Sequence, residues 1–205
     1  MRAQDLLECM APLFPADFFS HTLEVKRKGS ALADLSELLA EESFAEVFLQ
    51  WNEEEIKIKV EAEYPLEESY FPDYHKGDAW EFFIDTRDNK QSGVPSRFCH
   101  NFLVHGASIG GVHAQEISKG RAEDSHPLCD PSDIHVEVSK KKKGYEMTVC
   151  FPKEILHGYD PIAYPRIGFA YRIHRYKAKP QHFPFSSKYI DMWQNPSFWA
   201  SLLLT

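Results

Sequence analysis

Glu81, Asn101 and Arg172 are the side chains whose types and positions point to chemistry. In the run 166–175, the apolar Ile167, Phe169, Tyr171 and Ile173 recur at every second residue, which leaves Gly168, Ala170, Arg172 and His174 on the opposite side of a strand. In the run 79–85, Trp80, Phe82 and Ile84 define one side and Ala79, Glu81, Phe83 and Asp85 the other. After the next turn, Cys99, Asn101 and Leu103 oppose Phe98, His100 and Phe102. One sheet face can therefore gather a carboxylate, an amide and a guanidinium. Beside an exposed indole, that set suits a sugar or a similar polyol, because hydroxyls donate and accept together and the apolar face of a sugar ring stacks on an aromatic. Trp193, just before Asn195-Pro196, is the candidate platform. The competing expectation is structural: a Glu81–Arg172 ion pair that ties neighbouring strands, and a tryptophan that only packs.

The common catalytic constellations are missing: there is no GxSxG, no HExxH, no GxxxxGK[ST], and no GxGxxG after a strand. Cys99 and His100 cannot act as nucleophile and base, because adjacent residues on a strand point to opposite faces. The expectation is a protein without enzymatic activity. Ten histidines are many for this length, yet His100, His105 and His113 match no common metal motif, and no metal ligands are assigned. A haem iron would draw on His75, His174 or Met192, and their spacing singles out none of them. No DxDxDG-like loop identifies calcium ligands, although the chain is acid-rich. The four cysteines, Cys9, Cys99, Cys129 and Cys150, are widely spaced without a CxxC pair and suit a reducing compartment.

A length of 205 residues fits one domain, 1–205, with residues 1–43 as a lead-in strand and connector. With 43% hydrophobic and 26% charged residues, such a chain can bury a substantial core. The net charge of −8 repels phosphate backbones, so nucleic acid is not an expected partner. The one basic run, Lys140 to Lys143, ends in Gly144 between two alternating segments and reads as a solvated hairpin turn. Charges interrupt the N-terminal apolar residues before a secretory core forms, and no apolar stretch approaches the ~20 residues a spanning helix needs. The expected location is cytoplasmic, without membrane insertion.

The elements that must position these residues are strands. Residues 18–28 read as a first strand, and Leu32, Leu35, Leu38 and Leu39 suit either a short helix or an irregular connector. Runs 45–51 and 56–63 form a hairpin, the second with Ile56, Ile58, Val60 and Ala62 alternating with charge. Run 79–85 is a central strand that pairs with 97–104, and Gly106 to Gly111 is expected to break the latter. Runs 135–139 and 145–151 flank the lysine turn, Pro152 to Leu156 reads as one helical turn, and a last strand follows Trp193. About eight strands with turns near every ten residues predict an all-β fold: an antiparallel β-sandwich, jelly-roll or immunoglobulin-like, with one or two short helices.

Three blocks in this order carry a resemblance: 76–87 (KGDAWEFFIDTR), 165–169 (PRIGF) and 193–202 (WQNPSFWASL). They resemble the signature blocks of the family 9 carbohydrate-binding modules and their DOMON-like relatives, over residues from about 44 to 204. The resemblance implies a non-catalytic β-sandwich that holds a sugar end between two tryptophans with polar groups beneath. It places Trp193 at one tryptophan position, Glu81 at the acidic ligand contact, and Asn101 and Arg172 at or near polar contacts. His75 stands where the family has its other tryptophan, and Cys99 where it has an arginine. The implied function is recognition of a saccharide or similar polyol on the face holding Trp193, Glu81, Asn101, Arg172 and His75. A structural calcium ion is also implied, and two alternatives stay open: a haem or redox DOMON-like module using His75 or His174, and a protein-interaction sandwich with a degenerate sugar site.

Overall fold

The computed structural model describes residues 23–205, apart from positions 122 and 189. Two sheets stack face to face. One runs in the order β1 (Leu23–Val25), β12 (Ala200–Leu204), β10 (Arg166–His174), β5 (Ala79–Asp85), β6 (Cys99–Ile109) and β7 (Val112–Glu116), with β11 (Gln181–Phe183) also paired to β10. The other runs β2 (Ser30–Ala31), β3 (Ala45–Trp51), β4 (Glu55–Ala62), β9 (Gly144–Pro152) and β8 (His135–Lys141). All pairings are antiparallel except that of β1 with β12, which is parallel. Among the described residues a single short α-helix, α1 (Ser36–Leu39), supplies the connector between β2 and β3.

Alternation along the strands decides what lies between the sheets. Trp80, Phe82 and Ile84 of β5 face inward with Phe102 and Val104 of β6 and with Phe169 and Tyr171 of β10, against Tyr145, Met147 and Phe151 of β9. All are essentially solvent-free, so truncating Phe82 or Phe102 to alanine costs about 3–5 kcal/mol. The polar tips of the core rings satisfy one another. Trp80 Nε1 donates to Tyr145 Oη at 3.1 Å, and the Tyr145 and Tyr64 hydroxyls lie 3.2 Å apart.

The sandwich and its three hairpins match the sequence reading, with particular differences. Instead of about eight strands there are twelve among the described residues, because short edge strands such as β2 and β11 are too brief to show a period. The predicted strand over 18–28 falls mostly outside the described residues, and its described part is β1. Residues 32–39 settle as a connector ending in α1, and the turn after Pro152 is a 3-10 turn, Lys153–Ile155. Strand β6 does not break at Gly106 but runs through it to Ile109, with an irregularity between Val104 and Ile109. Gly106 is used there for close approach: a Cβ would meet Leu66, Ser69 and Asp78 at 3.2–3.3 Å.

That close approach seats the loop 64–78 over the outer face of the first sheet. Asp78, itself buried, clamps it: Oδ2 accepts from the Glu67 and Glu68 amides at 2.5 and 3.2 Å, and Oδ1 accepts from the Tyr176 amide at 2.9 Å. One carboxylate thus fixes the loop carrying Tyr74 and His75 and the end of β10 carrying Arg172 and His174.

Candidate ligand-binding face

The outer face of the first sheet is where parity sends Glu81 and Arg172, and the register makes them direct neighbours: Arg172 of β10 lies opposite Glu81 of β5. Arg172 Nε donates to Glu81 Oε2 at 2.5 Å, His174 Nε2 donates to the same oxygen at 2.8 Å, and the Tyr74 hydroxyl reaches Oε1 at 3.3 Å. The Glu81 side chain is 1% exposed but that of Arg172 is 23% exposed, so the carboxylate is sealed beneath a guanidinium whose outer edge meets solvent. Burial alone would push the Glu81 carboxyl up; hydrogen bonds from His174 and Arg172 outweigh it and hold it down at about 2. Burial lowers His174, and the Arg172 charge adds to that, so His174 is a neutral donor and the arginine is the cation. Burial likewise pushes the Tyr74 hydroxyl up to about 12, with the Glu81 charge adding to it, and Tyr74 stays a donor.

The other expected site residues are spread around this pair. His75 is exposed in the 3-10 turn Tyr74–Lys76, its ring 6.0 Å from that of Tyr74, at the rim of the same cluster. Asn101 lies across from Phe83, one diagonal step from Glu81, and is buried with Oδ1 lacking any hydrogen-bond partner. Trp193 is half-buried rather than freely exposed: its indole N–H donates to the Lys119 carbonyl at 2.9 Å, and its ring lies 6.2 Å from Trp199 at a 34° tilt. Of the five expected residues, only Glu81 and Arg172 hydrogen-bond each other. The ion pair and the packed tryptophan that the sequence raised as the structural alternative are therefore both present.

The far end of the face is filled by the chain itself. Phe83, Cys99, Ala170, Phe185, Met192 and Trp199 make a second apolar cluster outside the first sheet, with Trp193 packed against its edge. Cys99, at the position expected to hold an arginine, sits under this plug, where burial foremost pushes its thiol up to about 12. At the other end, Tyr74, His75 and Arg172 are the partly or fully exposed residues of the Glu81 cluster. A groove of about 660 Å³ between β7 and β8, lined among others by His113, Ala114, Ile134 and Val136, contains none of these residues.

Sequence reasoning missed Tyr74, which parity cannot find because it lies in a loop. It also missed a chain of three polar groups centred on His182 of β11: Ser187 Oγ and Glu41 Oε1 each lie 2.7 Å from a ring nitrogen of His182. This has the order of a nucleophile, base and acid, but its local bonding is structural. The next amide, Lys188 N–H, points to Ser186 Oγ at 3.4 Å rather than standing free as an oxyanion donor, and Glu41 also accepts the His182 amide at 3.0 Å, pinning β11 to the turn after α1.

With the geometry in place, comparison with known proteins is informative at the level of structure. Neither protein-family profiles nor curated protein sequences give a match to the chain. Among solved structures, a family 9 carbohydrate-binding module from Caldicellulosiruptor kristjanssonii in complex with cellotriose superimposes with a TM-score of 0.61 at 15% identity, over 90% of this chain and 94% of that one. The chain has the fold of a family 9 carbohydrate-binding module. A family 9 module of the same organism in complex with glucose gives 0.58 at 15% identity, over 92% and 87% of the two chains. A Bacteroides uniformis protein proposed to bind carbohydrate gives 0.56 at 10% identity, over 86% of each. This family 9 fold spans both sheets, and no helix of the described residues is long and apolar enough to cross a membrane.

Proposed function

We propose that this protein is a non-catalytic carbohydrate-binding module that takes a saccharide or similar polyol at the Arg172 end of the outer sheet face. The observation that carries the reading is the pairing of the fold with a guanidinium held ready for hydroxyls. Glu81 engages Arg172 through Nε and the Arg172 side chain is partly exposed, so the two Nη groups are the donors left to offer a ligand. Two adjacent N–H donors from one planar group match vicinal hydroxyls, and the Tyr74 hydroxyl, its proton given to Glu81, adds an acceptor. Glu81 acts as a positioning residue, its charge already spent on Arg172 and His174. His75 offers an exposed ring at the rim, and Trp193 borders the face from the side of the apolar plug.

The neighbouring structures, solved with cellotriose and with glucose, favour a glucose-based ligand as the first probe. The Glu81–His174 bond argues against His174 as a haem ligand, because the Nε2 that would ligate iron donates instead to a carboxylate. The test is tryptophan fluorescence of the purified protein titrated with mono- and oligosaccharides, repeated on Trp193→Phe, which keeps the packing against Trp199. A saturable change in the wild type that is weakened in the variant supports the assignment. No change with any sugar of the panel refutes it and leaves the sandwich as a protein-interaction fold.

A further inference from the structure

A second buried carboxylate is ringed by imidazoles and has no lysine or arginine partner among the described residues. Glu116, at the end of β7, lies inside the sandwich opposite Phe102, and its side chain is solvent-free. His100 projects inward from β6 opposite Ile84, and His126 comes from the loop between β7 and β8. Glu116 Oε1 lies 2.9 Å from His100 Nδ1, 2.7 Å from His126 Nε2 and 2.7 Å from Ser118 Oγ. The three metal-ligating atoms of His100, Glu116 and His126 all fall within 4.8 Å of one another.

Hydrogen-bond logic shows what this arrangement wants. His126 Nδ1 faces the Arg97 carbonyl at 2.7 Å, which can only accept, so Nδ1 carries the ring proton and the lone pair of the neutral ring sits on Nε2, aimed at Glu116. A lone pair directed at a carboxylate oxygen needs a positive centre between the two, either a second ring proton or a bound cation. His100 differs at its outer nitrogen: among the described residues its Nε2 is buried without a hydrogen-bond partner, while its Nδ1 faces the same carboxylate. Arg97, whose carbonyl His126 faces, is itself engaged with Asp124 at 2.6 Å. An imidazole whose outer N–H rests on a backbone carbonyl while its other nitrogen points into a shared polar centre is the orientation that metal-bound histidines adopt.

We propose that His100, Glu116 and His126 form a binding site for one divalent transition-metal ion, zinc by its donor set. Two imidazole nitrogens and one carboxylate oxygen suit zinc, whereas calcium and magnesium require oxygens. The Cys129 amide, donating to Glu116 Oε2 at 3.1 Å, and the Ser118 hydroxyl fix the carboxylate's orientation. The ring of His157, stacked parallel to His126 at 5.9 Å and on Phe98 at 5.5 Å, closes the outer side. The site is independent of saccharide binding, since it lies between the sheets rather than on the outer face.

The test uses the full chain, stripped with chelator and titrated with Co²⁺ by visible absorption, and with Zn²⁺ by elemental analysis after dialysis. One equivalent of metal, a cobalt ligand-field band that Zn²⁺ abolishes and excess Ca²⁺ does not, and loss of at least 100-fold in affinity in His126→Ala are expected. Near-UV circular dichroism checks that the variant keeps its fold. A readout free of any packing change in the variant is zinc-edge X-ray absorption of the wild type, with imidazole scattering from two histidines expected. No uptake by the wild type, uptake unchanged in a folded His126→Ala, or zinc without imidazole scattering overturns the proposal.

Discussion

Glu81 and Glu116 are both buried carboxylates in contact with histidine, and they solve the same electrostatic problem in different ways. Glu81 is matched by a guanidinium that is charged at every accessible pH, so His174 beside it remains a neutral donor. Glu116 is matched by two imidazoles and a hydroxyl, whose charge depends on a proton or an added cation. Burial works to raise both carboxyls, and in both the hydrogen bonds prevail and hold them well below the usual range. The difference teaches that a ring of histidines around a carboxylate is not in itself a metal site. What separates the two clusters is whether the positive charge is covalently part of the chain.

The largest effect should come from removing that built-in charge. Arg172→Met leaves Glu81 buried without its cation and is expected to cost about 3–5 kcal/mol in urea unfolding at neutral pH. Adding Glu81→Leu to it should restore most of the loss, and a double variant as unstable as the single one would break the ion-pair account. Acid comes next. With its carboxyl lowered from 4.5 to about 2, Glu81 contributes stability that is fully present above pH 4.5 and is lost as pH falls through 2. That is about 3 kcal/mol from this group, and urea titrations between pH 6 and 2 should show a shallower decline in Glu81→Gln.

Smaller effects sharpen the division between stability and binding. Asn101→Ala removes an acceptor that no described residue satisfies, so stability should stay level or rise by up to about 1 kcal/mol while saccharide affinity falls. A clear destabilisation with unchanged affinity would make Asn101 a packing residue. Ser187→Ala should cost about 1 kcal/mol, the value of one neutral hydrogen bond to His182, and a fluorophosphonate probe should leave Ser187 unlabelled. Labelling that depends on His182 would overturn the non-catalytic reading.

Much of the sheet framework was legible because period-two alternation survives in long strands. It placed Ile167, Phe169, Tyr171 and Ile173 inward and put Arg172 on the Glu81 face, where the register then made them partners. The two blocks around Trp80 and Trp199 pointed to the sandwich that the solved structures share. Contacts made by loops were not legible. Tyr74 reaches Glu81, and His126 reaches Glu116, from segments with no period, and only the folded chain brings His126 beside a strand residue 26 positions earlier, His100. Trp193 was placed on the right face but given too much exposure, because its packing on Trp199 depends on how the closing loop folds back.

The most direct test of the binding-face assignment is calorimetric titration of the wild type and Arg172→Lys with glucose, cellotriose and a wider sugar panel. Lysine keeps the charge beside Glu81 but not the paired donors, so stability should change little while affinity for the bound sugar drops at least tenfold. Saturable binding in the wild type that weakens this way is the predicted result. Binding that is equally tight in Arg172→Lys, or no heat with any sugar, would contradict it.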